Sequence, residues 1–287
     1  MKKTIYDFNY EQLKEWLINH NEKPFRTNQV FTWLYRKRIN EFNEMTDIKQ
    51  NLIDQIDEEF VINPIKLKQR QASKDGTIKY LFELQDGFLV ETVLMQFDYG
   101  KSVCVSSQVG CNMGCTFCAS GLLKKNRDLT SGEMLAQVMY VQKELDKLEQ
   151  RVSHIVIMGT GEPFDNYDHV MNFLNTVNHD LGLAIGARHL SVSTCGIVPR
   201  IRQFAREKVQ YNLAISLHAP NDELRSKLMP INKAYPLAEL MDALHEYSTL
   251  NNRRITFEYI LLKGVNDQTE HANQLAKLIK GMNAYIN

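Results

Sequence analysis

The stretch SSQVGCNMGCTFCASG, residues 106–121, carries Cys111, Cys115 and Cys118, which are three of the chain's five cysteines. Structural zinc usually takes four protein ligands in two pairs, and no second Cys or Cys/His pair follows in the sequence. A cubane iron–sulfur cluster also takes four ligands, so three thiolates leave one iron free for a ligand that is not protein. The spacing therefore favours an incompletely ligated metal site, with zinc-binding or simply buried thiols as the alternatives.

This stretch lies between a β-rich run and a helix that starts with the capping box Thr130-x-x-Glu133. From residue 102 onward β-rich and helical runs alternate, which predicts a parallel sheet or barrel. Such folds keep their chemistry at the C-terminal ends of the strands, where the three cysteines fall. The predicted strands are Val103–Ser107, His154–Met158, His189–Ser193, Asn212–Leu217, Arg254–Leu262 and a sixth that begins at Ala284.

The region upstream of this core has a different pattern. The first seventy residues show the apolar spacing of helices, with Leu13, Trp16 and Leu17 on one predicted face. Two apolar runs follow, Ile78–Leu84 and Phe88–Met95, and the short polar link between them is typical of a hairpin. We therefore expect a helical domain over residues 1–70, a β-hairpin extension over 71–100 and the repeated β/α core over 101–287.

A second motif, IVIMGTGEP over residues 155–163, ends the next predicted strand. Gly159 and Gly161 allow the backbone to approach a ligand closely, and Glu162 supplies an acceptor beside it. A cofactor ammonium group would suit that acceptor. A strand that ends in a glycine turn is common in any α/β protein, so this motif alone is weak evidence for a cofactor site. Together with the cysteine cluster it is strong evidence.

Composition excludes some classes of protein. The 287 residues have a formal net charge of zero, and no run of eighteen apolar residues appears. The chain starts with lysines rather than an apolar signal segment, and its clustered cysteines are not a secreted disulfide framework. We expect a cytoplasmic protein with no membrane segment. Three basic patches, at residues 36–38, 124–127 and 253–254, are either phosphate contacts or ordinary solvated surfaces.

The Cys-x3-Cys-x2-Cys spacing, with Phe117 before the last cysteine, resembles the radical S-adenosylmethionine (SAM) signature, and GTGEP resembles the Gly-Gly-Glu-Pro motif of those enzymes. Six further segments occur in order and together resemble the RlmN-type RNA adenosine C2-methyltransferases, whose close sibling, the Cfr type, modifies C8. They are ETVLM (91–95), SVCVSSQVGC (102–111), STCGIVPRI (193–201), AISLHAPND (214–222), LMPIN (228–232) and GVNDQTEHA (264–272).

The resemblance implies an α/β fold built on a partial (β/α)6 radical SAM barrel, with the N-terminal helical domain and hairpin as additions. It implies that Cys111, Cys115 and Cys118 bind a 4Fe-4S cluster and that S-adenosylmethionine is the other cofactor. The implied cofactor contacts are Gly161, Glu162, Ser193, Ser216, Leu217 and His218. The implied partners are 23S ribosomal RNA, transfer RNA and an electron donor such as flavodoxin or ferredoxin.

C2 of adenine is electron-poor and has no lone pair, so polar methyl transfer to it fails. In the family that the sequence resembles, a cysteine of the C-terminal segment carries the methyl group, and a radical from the cofactor activates that group. A second cysteine then resolves the protein–RNA crosslink while a base removes the C2 proton. The resemblance assigns these two roles to Cys104 and Glu91, for which a buried strand thiol and a strand-end carboxylate are the ordinary alternatives.

The methyl-carrying cysteine of the family lies beyond the position of Asn287, and Cys195 does not match it. We therefore expect a barrel that is truncated in its sixth strand, binds cluster and cofactor, and is impaired in turnover. The competing hypothesis is a non-catalytic RNA-binding module in which the three thiols hold zinc.

Overall fold

The computed structural model describes residues 2–207 and 209–287, and within them one mixed sheet of nine strands organises the chain. The strands are β1 (Lys3–Thr4), β2 (Phe60–Val61), β3 (Ile65–Ala72), β4 (Ile78–Leu84), β5 (Leu89–Phe97), β6 (Gly100–Cys104), β7 (Gln108–Val109), β8 (Arg127–Asp128), β9 (Val152–Ile157), β10 (Leu190–Thr194), β11 (Asn212–Ser216), β12 (Ile255–Glu258) and β13 (Ala284–Ile286). The order across the large sheet is β13-β12-β11-β10-β9-β6-β5-β4-β3. The short strands β1 and β2 pair in parallel, and β7 pairs with β8.

The helices in chain order are α1 (Tyr10–Asn19), α2 (Arg26–Phe31), α3 (Gln50–Glu59), α4 (Ser131–Asp146), α5 (Tyr167–Asn178), α6 (Val198–Arg206), α7 (Asp222–Leu228), α8 (Leu237–Asn251) and α9 (Thr269–Leu278). The longest of these, α4, has 16 residues and begins with the predicted capping box of Thr130 and Glu133. Among the described residues, no helix is both long and apolar enough to cross a membrane.

Six strands form the parallel half of the sheet, and helices connect consecutive ones. They are β6, β9, β10, β11, β12 and β13. In β6, β9 and β10 the residues that face these helices are fully buried, for example Val103, Ile155 and Val192, because one face of the sheet packs under the helices. The other set of alternate residues faces the concave side and is smaller and more polar. The predicted α/β class with six parallel strands is confirmed.

The antiparallel half consists of β3, β4 and β5, and it joins the parallel half through the β5–β6 pairing. The predicted hairpin corresponds to β4 and β5. The prediction of helix up to residue 70 is wrong at its end, because Ile65–Ala72 is a strand. This edge strand is exposed along almost its whole length, so it carries no apolar alternation, and backbone pairing with β4 decides its conformation.

The N-terminal helices bury the apolar faces expected from the sequence, including Leu13, Leu17 and Phe31. Helix α1 starts at a capping box between Asn9 and Gln12, and α2 continues into one stretch of π-helix. These helices share one apolar core with the sheet. The division into units of residues 1–70, 71–100 and 101–287 stays a prediction.

Candidate active site at the carboxyl ends of the parallel strands

The cysteine loop follows β6 and folds back on itself. Gly110 has φ +78°, and a Cβ at this position would lie 2.1 Å from the carbonyl oxygen of Lys124, so only glycine fits. The amide of Cys111 donates to the carbonyl of Leu123 at 2.9 Å. The amide of Thr116 donates to the last residue of α7, Leu228, at 2.9 Å. The loop is therefore held both to itself and to a second element of the core.

A cavity of about 270 Å³ opens beside this loop, where the parallel strands end. All three predicted metal ligands, Cys111, Cys115 and Cys118, line it. The predicted cofactor contacts that line the same cavity are Gly161, Glu162, Ser193, Ser216 and His218. A larger cleft of about 680 Å³ beside α5 carries no thiol. Residues from six segments of the chain thus converge on one cavity.

Leu217 is the exception among the predicted cofactor contacts. Its side chain is fully buried in the main hydrophobic core and does not line the cavity. Its backbone amide donates to the carbonyl of Glu258 at 3.1 Å. Leu217 therefore anchors the end of β11 by packing its side chain into the core, on the side of the strand away from the cavity.

Glu162 is the buried carboxylate of the cavity, with 3% of its surface exposed. Gly161 before it has φ +118°, and the close packing of this turn on Gln108 leaves no room for a Cβ. The Glu162 carboxylate accepts from the amides of Phe164 at 3.0 Å and Cys195 at 2.8 Å. Burial raises the pKa of Glu162, and the hydrogen bonds from those amides oppose the rise. The carboxylate is thus fixed in position and suited to a cationic ligand.

His218 also lines the cavity and has the left-handed conformation, with φ +57°. Its Nδ1 accepts from the amide of Ile260 at 3.1 Å, and its ring meets the edge of Phe117, with ring centres 4.6 Å apart. Burial, and then the charge of Arg225, lowers the pKa of His218 to about 4. The ring is therefore neutral near pH 7, and its backbone strain is of the kind that collects at functional sites.

Cys104 and Glu91 lie outside the cavity, on the concave face where the two halves of the sheet meet. Cys104 pairs with Val93 across β5 and β6, so Glu91 is its diagonal neighbour, at about 7–8 Å for such positions. Glu91 is half exposed and forms an ion pair with Lys79 at 2.9 Å. Burial raises the pKa of Cys104 to about 11. The structure brings these two residues close to each other but does not place them in the cavity.

Comparisons with known proteins agree with this arrangement. The model of the radical SAM superfamily matches residues 105–276, and that of the ribosomal RNA large subunit methyltransferase N-terminal domain matches residues 3–62. The probable dual-specificity RNA methyltransferase RlmN of Streptococcus suis is 58% identical, over 100% of this chain and 79% of the relative. The protein of the same description from Geobacillus thermodenitrificans is 58% identical, over 99% of this chain and 78% of the relative.

The chain belongs to the RlmN family of radical SAM RNA methyltransferases. A crystal structure of a radical SAM methyltransferase from Sphaerobacter thermophilus matches it with a TM-score of 0.95 and 40% identity, over 99% of this chain and 84% of that one. The predicted fold, enzyme class and RNA methyltransferase function are therefore confirmed. Radical SAM enzymes as a class use an iron–sulfur cluster and S-adenosylmethionine, and an RNA methyltransferase acts on RNA.

The residues of this RlmN-family chain fit such a cluster. Three thiols line one wall of the cavity, which suits a cubane in which each thiolate binds a different iron. In residues 2–207 and 209–287, no three His, Cys, Asp or Glu side chains converge closely enough to hold a single metal ion. Burial and the neighbouring thiols raise the pKa of Cys115 to about 12, so iron binding displaces protons from this loop.

Several cavity residues are not predicted from the sequence, and Glu258 and Cys195 are the chemically active ones among them. The predicted strand runs to Leu262, whereas β12 ends at Glu258, which lines the cavity. The sequence gives Cys195 no role, and its side chain is buried beside Cys115. Glu258 could be predicted as a cavity residue only if the end of β12 were located correctly, and the pattern of a single sequence places strand ends poorly.

The three basic patches are largely committed to contacts within the protein. Arg38 makes a bidentate pair with Asp146, with Nε–Oδ2 2.5 Å and Nη2–Oδ1 2.9 Å. The other internal partners are Asp180 for Arg36, Trp33 for Lys37, Asp165 for Lys125, Glu133 for Arg127, Asn212 for Arg253 and Tyr285 for Arg254. Lys124 is exposed. The role of these patches in phosphate binding stays a prediction.

Proposed function

We propose that this chain methylates C2 of adenosine in 23S ribosomal RNA and transfer RNA, with a 4Fe-4S cluster on Cys111, Cys115 and Cys118. The observation that carries the proposal is the convergence of these thiols with a buried carboxylate on one cavity. The relatives' descriptions as dual-specificity RNA methyltransferases support the choice of two RNA classes. We place the reaction in the cytoplasm, with a flavodoxin- or ferredoxin-type protein as the electron donor.

In this proposal the cavity binds the cofactor through three kinds of group. The carboxylate of Glu162 takes the ammonium group, because it is buried, held by two amides and faces the cavity. The backbone at Gly161 approaches closely, and the hydroxyls of Ser193 and Ser216 supply further polar contacts. When bound, cluster and cofactor supply the methyl group and the radical chemistry that the electron-poor C2 requires.

Cys104 and Glu91 carry the later steps in this proposal. Glu91 is half exposed on the concave face, so its carboxylate is accessible to a C2 proton of an RNA base. The Cys104 thiol must first lose its proton. Its thiolate then attacks the sulfur of the crosslink, so that a disulfide forms as the bond from that sulfur to the methylene carbon breaks, and this carbon keeps the electron pair and takes a proton to become the methyl group. Since burial raises its pKa to about 11, Cys104 is unreactive until a neighbouring base accepts that proton.

Anaerobic reconstitution with iron and sulfide tests the cofactor part of the proposal. The wild-type protein should become brown, bind four irons per chain by the stoichiometry of a cubane, and release 5′-deoxyadenosine from S-adenosylmethionine after dithionite is added. Cys195→Ala is the matched control, because this cysteine lines the same cavity without belonging to the motif. Colourless protein with stoichiometric zinc would instead support the RNA-binding module.

The position of methylation is tested in cells. RNA from a strain that lacks the gene for this chain should lose 2-methyladenosine from ribosomal and transfer RNA, and the intact gene should restore it. Loss of 8-methyladenosine instead, measured by mass spectrometry of digested RNA, would assign the chain to the C8-modifying sibling type.

A further inference from the structure

Arg225 is a fully buried arginine on α7, directly behind the wall of the cavity. Its Nε donates to the carbonyl of Leu217 at 3.2 Å, and its Nη1 donates to Oδ1 of Asn232 at 2.9 Å. Its Nη2 donates to the carbonyls of Cys195 at 2.7 Å and Ser216 at 3.2 Å. All four acceptors are neutral oxygens. The guanidinium is thus well hydrogen-bonded, but its charge is not neutralised by the groups it touches.

The carboxylate that approaches Arg225 does so through an intermediate amide. Asn232 accepts from Arg225 and donates to Oδ1 of Asp222 at 2.9 Å, and the same oxygen accepts from the amide of Leu237 at 2.8 Å. A buried charge without a direct partner is costly, by several kcal/mol in typical proteins. Arginine stays protonated under these conditions. A buried guanidinium without a direct carboxylate partner is best explained if a ligand that binds nearby brings the negative charge.

The position of Arg225 indicates which negative charge that is. The backbone of Cys195 lies between two buried charged side chains, because its amide donates to Glu162 and its carbonyl accepts from Arg225. Glu162 faces the cavity, where we propose that it meets an ammonium group. Arg225 does not line the cavity, so it cannot contact the cofactor directly. It sits on the side of the cysteine loop, which α7 holds through the bond from Thr116 to Leu228.

We propose that Arg225 is the built-in counter-charge of the metal-loaded cysteine loop: a positioning residue that offsets the negative charge of the bound thiolates and raises the reduction potential of their cluster. The proposal rests on the proposed function, since it requires an iron–sulfur cluster on the loop. The geometry supports its proximity to the loop, because Cys195, whose carbonyl accepts from Arg225, packs beside Cys115 in one small buried cluster.

The direction of the effect follows from Coulomb's law. Reduction adds one electron to the cluster, from an external one-electron reductant such as dithionite, and no bond to Arg225 forms or breaks. A buried cation nearby stabilises the more negative, reduced state. Loss of that charge should lower the reduction equilibrium constant about tenfold, which for a one-electron couple is a potential about 59 mV more negative.

The decisive variant is the double substitution Asp222→Asn with Asn232→Asp. It keeps the composition and net charge, retains Arg225 and its backbone bonds, and moves a carboxylate from one amide away to direct contact with the guanidinium. Arg225→Gln removes the charge, and Arg225→Lys keeps the charge but loses the fork of hydrogen bonds. Each reconstituted protein is analysed for iron and sulfide content and for midpoint potential by an EPR-monitored dithionite titration.

We expect a more negative potential in the double variant and in Arg225→Gln, and a nearly unchanged potential in Arg225→Lys. If Arg225→Gln does not fold, the double variant decides alone. A wild-type reduction potential in the double variant that has bound its cluster would overturn the proposal. A double variant that is unfolded as apo protein would also overturn it, because the arrangement of Arg225, Asn232 and Asp222 would then serve the stability of the fold. Failure of the wild-type chain to bind a 4Fe-4S cluster would instead refute the proposed function.

Discussion

The parallel and antiparallel halves of the sheet each carry a glutamate of interest, and these two glutamates differ in how far they are exposed to solvent. Glu162, at the end of the parallel half, has 3% of its surface exposed, and backbone amides hold its carboxylate. Glu91, in the antiparallel half, has 49% of its side chain exposed and pairs with Lys79, itself 45% exposed. The first carboxylate is buried and fixed at a cavity, whereas the second remains accessible from solvent.

The difference follows from topology. Parallel strands joined by helices bring all their carboxyl ends to one edge, so loops from distant segments close around a common space. An antiparallel meander alternates its strand ends and leaves one strand at the sheet edge, here β3, in contact with solvent. In the proposed function, cofactor binding, which needs burial, is therefore assigned to the parallel half, and the proton transfer on a large RNA substrate is assigned to the antiparallel half.

The largest expected effect is the loss of the cluster when any one of Cys111, Cys115 and Cys118 is changed to alanine. Each single variant should lose almost all iron and sulfide after anaerobic reconstitution, because a cubane held by two thiolates is poorly retained. Cys104→Ala, on the boundary between the halves, should retain the wild-type content. Full iron content in any of the three loop variants would break the assignment of the cluster to this loop.

Next in size is the effect of Glu162→Gln on S-adenosylmethionine affinity in the reconstituted protein. We expect a loss of about 10- to 100-fold, or ~1.4–2.8 kcal/mol, by isothermal titration calorimetry. Glu91→Gln should bind the cofactor normally. Because burial raises the pKa of Glu162, affinity should fall as the pH drops through that raised value, since the protonated acid no longer attracts an ammonium group. Equal losses in both variants would remove the contrast between the halves.

A smaller effect concerns the stability of the apo protein and His218. Its pKa is lowered from 6.5 to about 4 by burial, so the unfolded chain binds more protons between these values. The stabilisation is fully present above pH 6.5 and is lost as the pH falls toward 4. Urea unfolding at pH 7 and pH 4.5 should show that His218→Asn removes on the order of 2 kcal/mol of this pH dependence. An identical pH dependence in both proteins would contradict the burial of a neutral ring.

The smallest effect is expected in the antiparallel half. Lys79→Met should change the free energy of unfolding by less than about 0.5 kcal/mol, because a half-exposed ion pair is screened by solvent. Iron content should also stay at the wild-type level. A loss of iron in Lys79→Met would show that the two halves are coupled, and would place this pair closer to the cluster chemistry than the structure does.

Local sequence patterns predict several elements of the parallel half. The cysteine spacing, the glycine turn before Glu162 and the capping box at Thr130 are short-range signals, and the structure confirms the helix and the turn where they were expected. The alternation of β-rich and helical runs predicted the strands of the parallel half. These signals hold because each depends on residues within a few positions of one another.

Other features had no local signal. The β3 strand is polar and exposed, so only its partner β4 makes it a strand. The basic residues near Arg38 looked like a surface patch, but Asp146, more than a hundred residues away, pairs with Arg38. Glu258 becomes a cavity residue only because β12 ends there.

The sequence by itself predicted the ligand set, and it determined the six-strand alternation and the family, because those depend on residue identity and spacing along the chain. Only the tertiary structure decided that Arg225 lies buried behind Cys195, that Glu162 accepts from the amide of the same residue, and that Glu91 stays in solvent. The physical reason is that the electrostatic environment of a charge depends on burial and on partners distant in sequence. Periodicity and motif spacing carry no record of either.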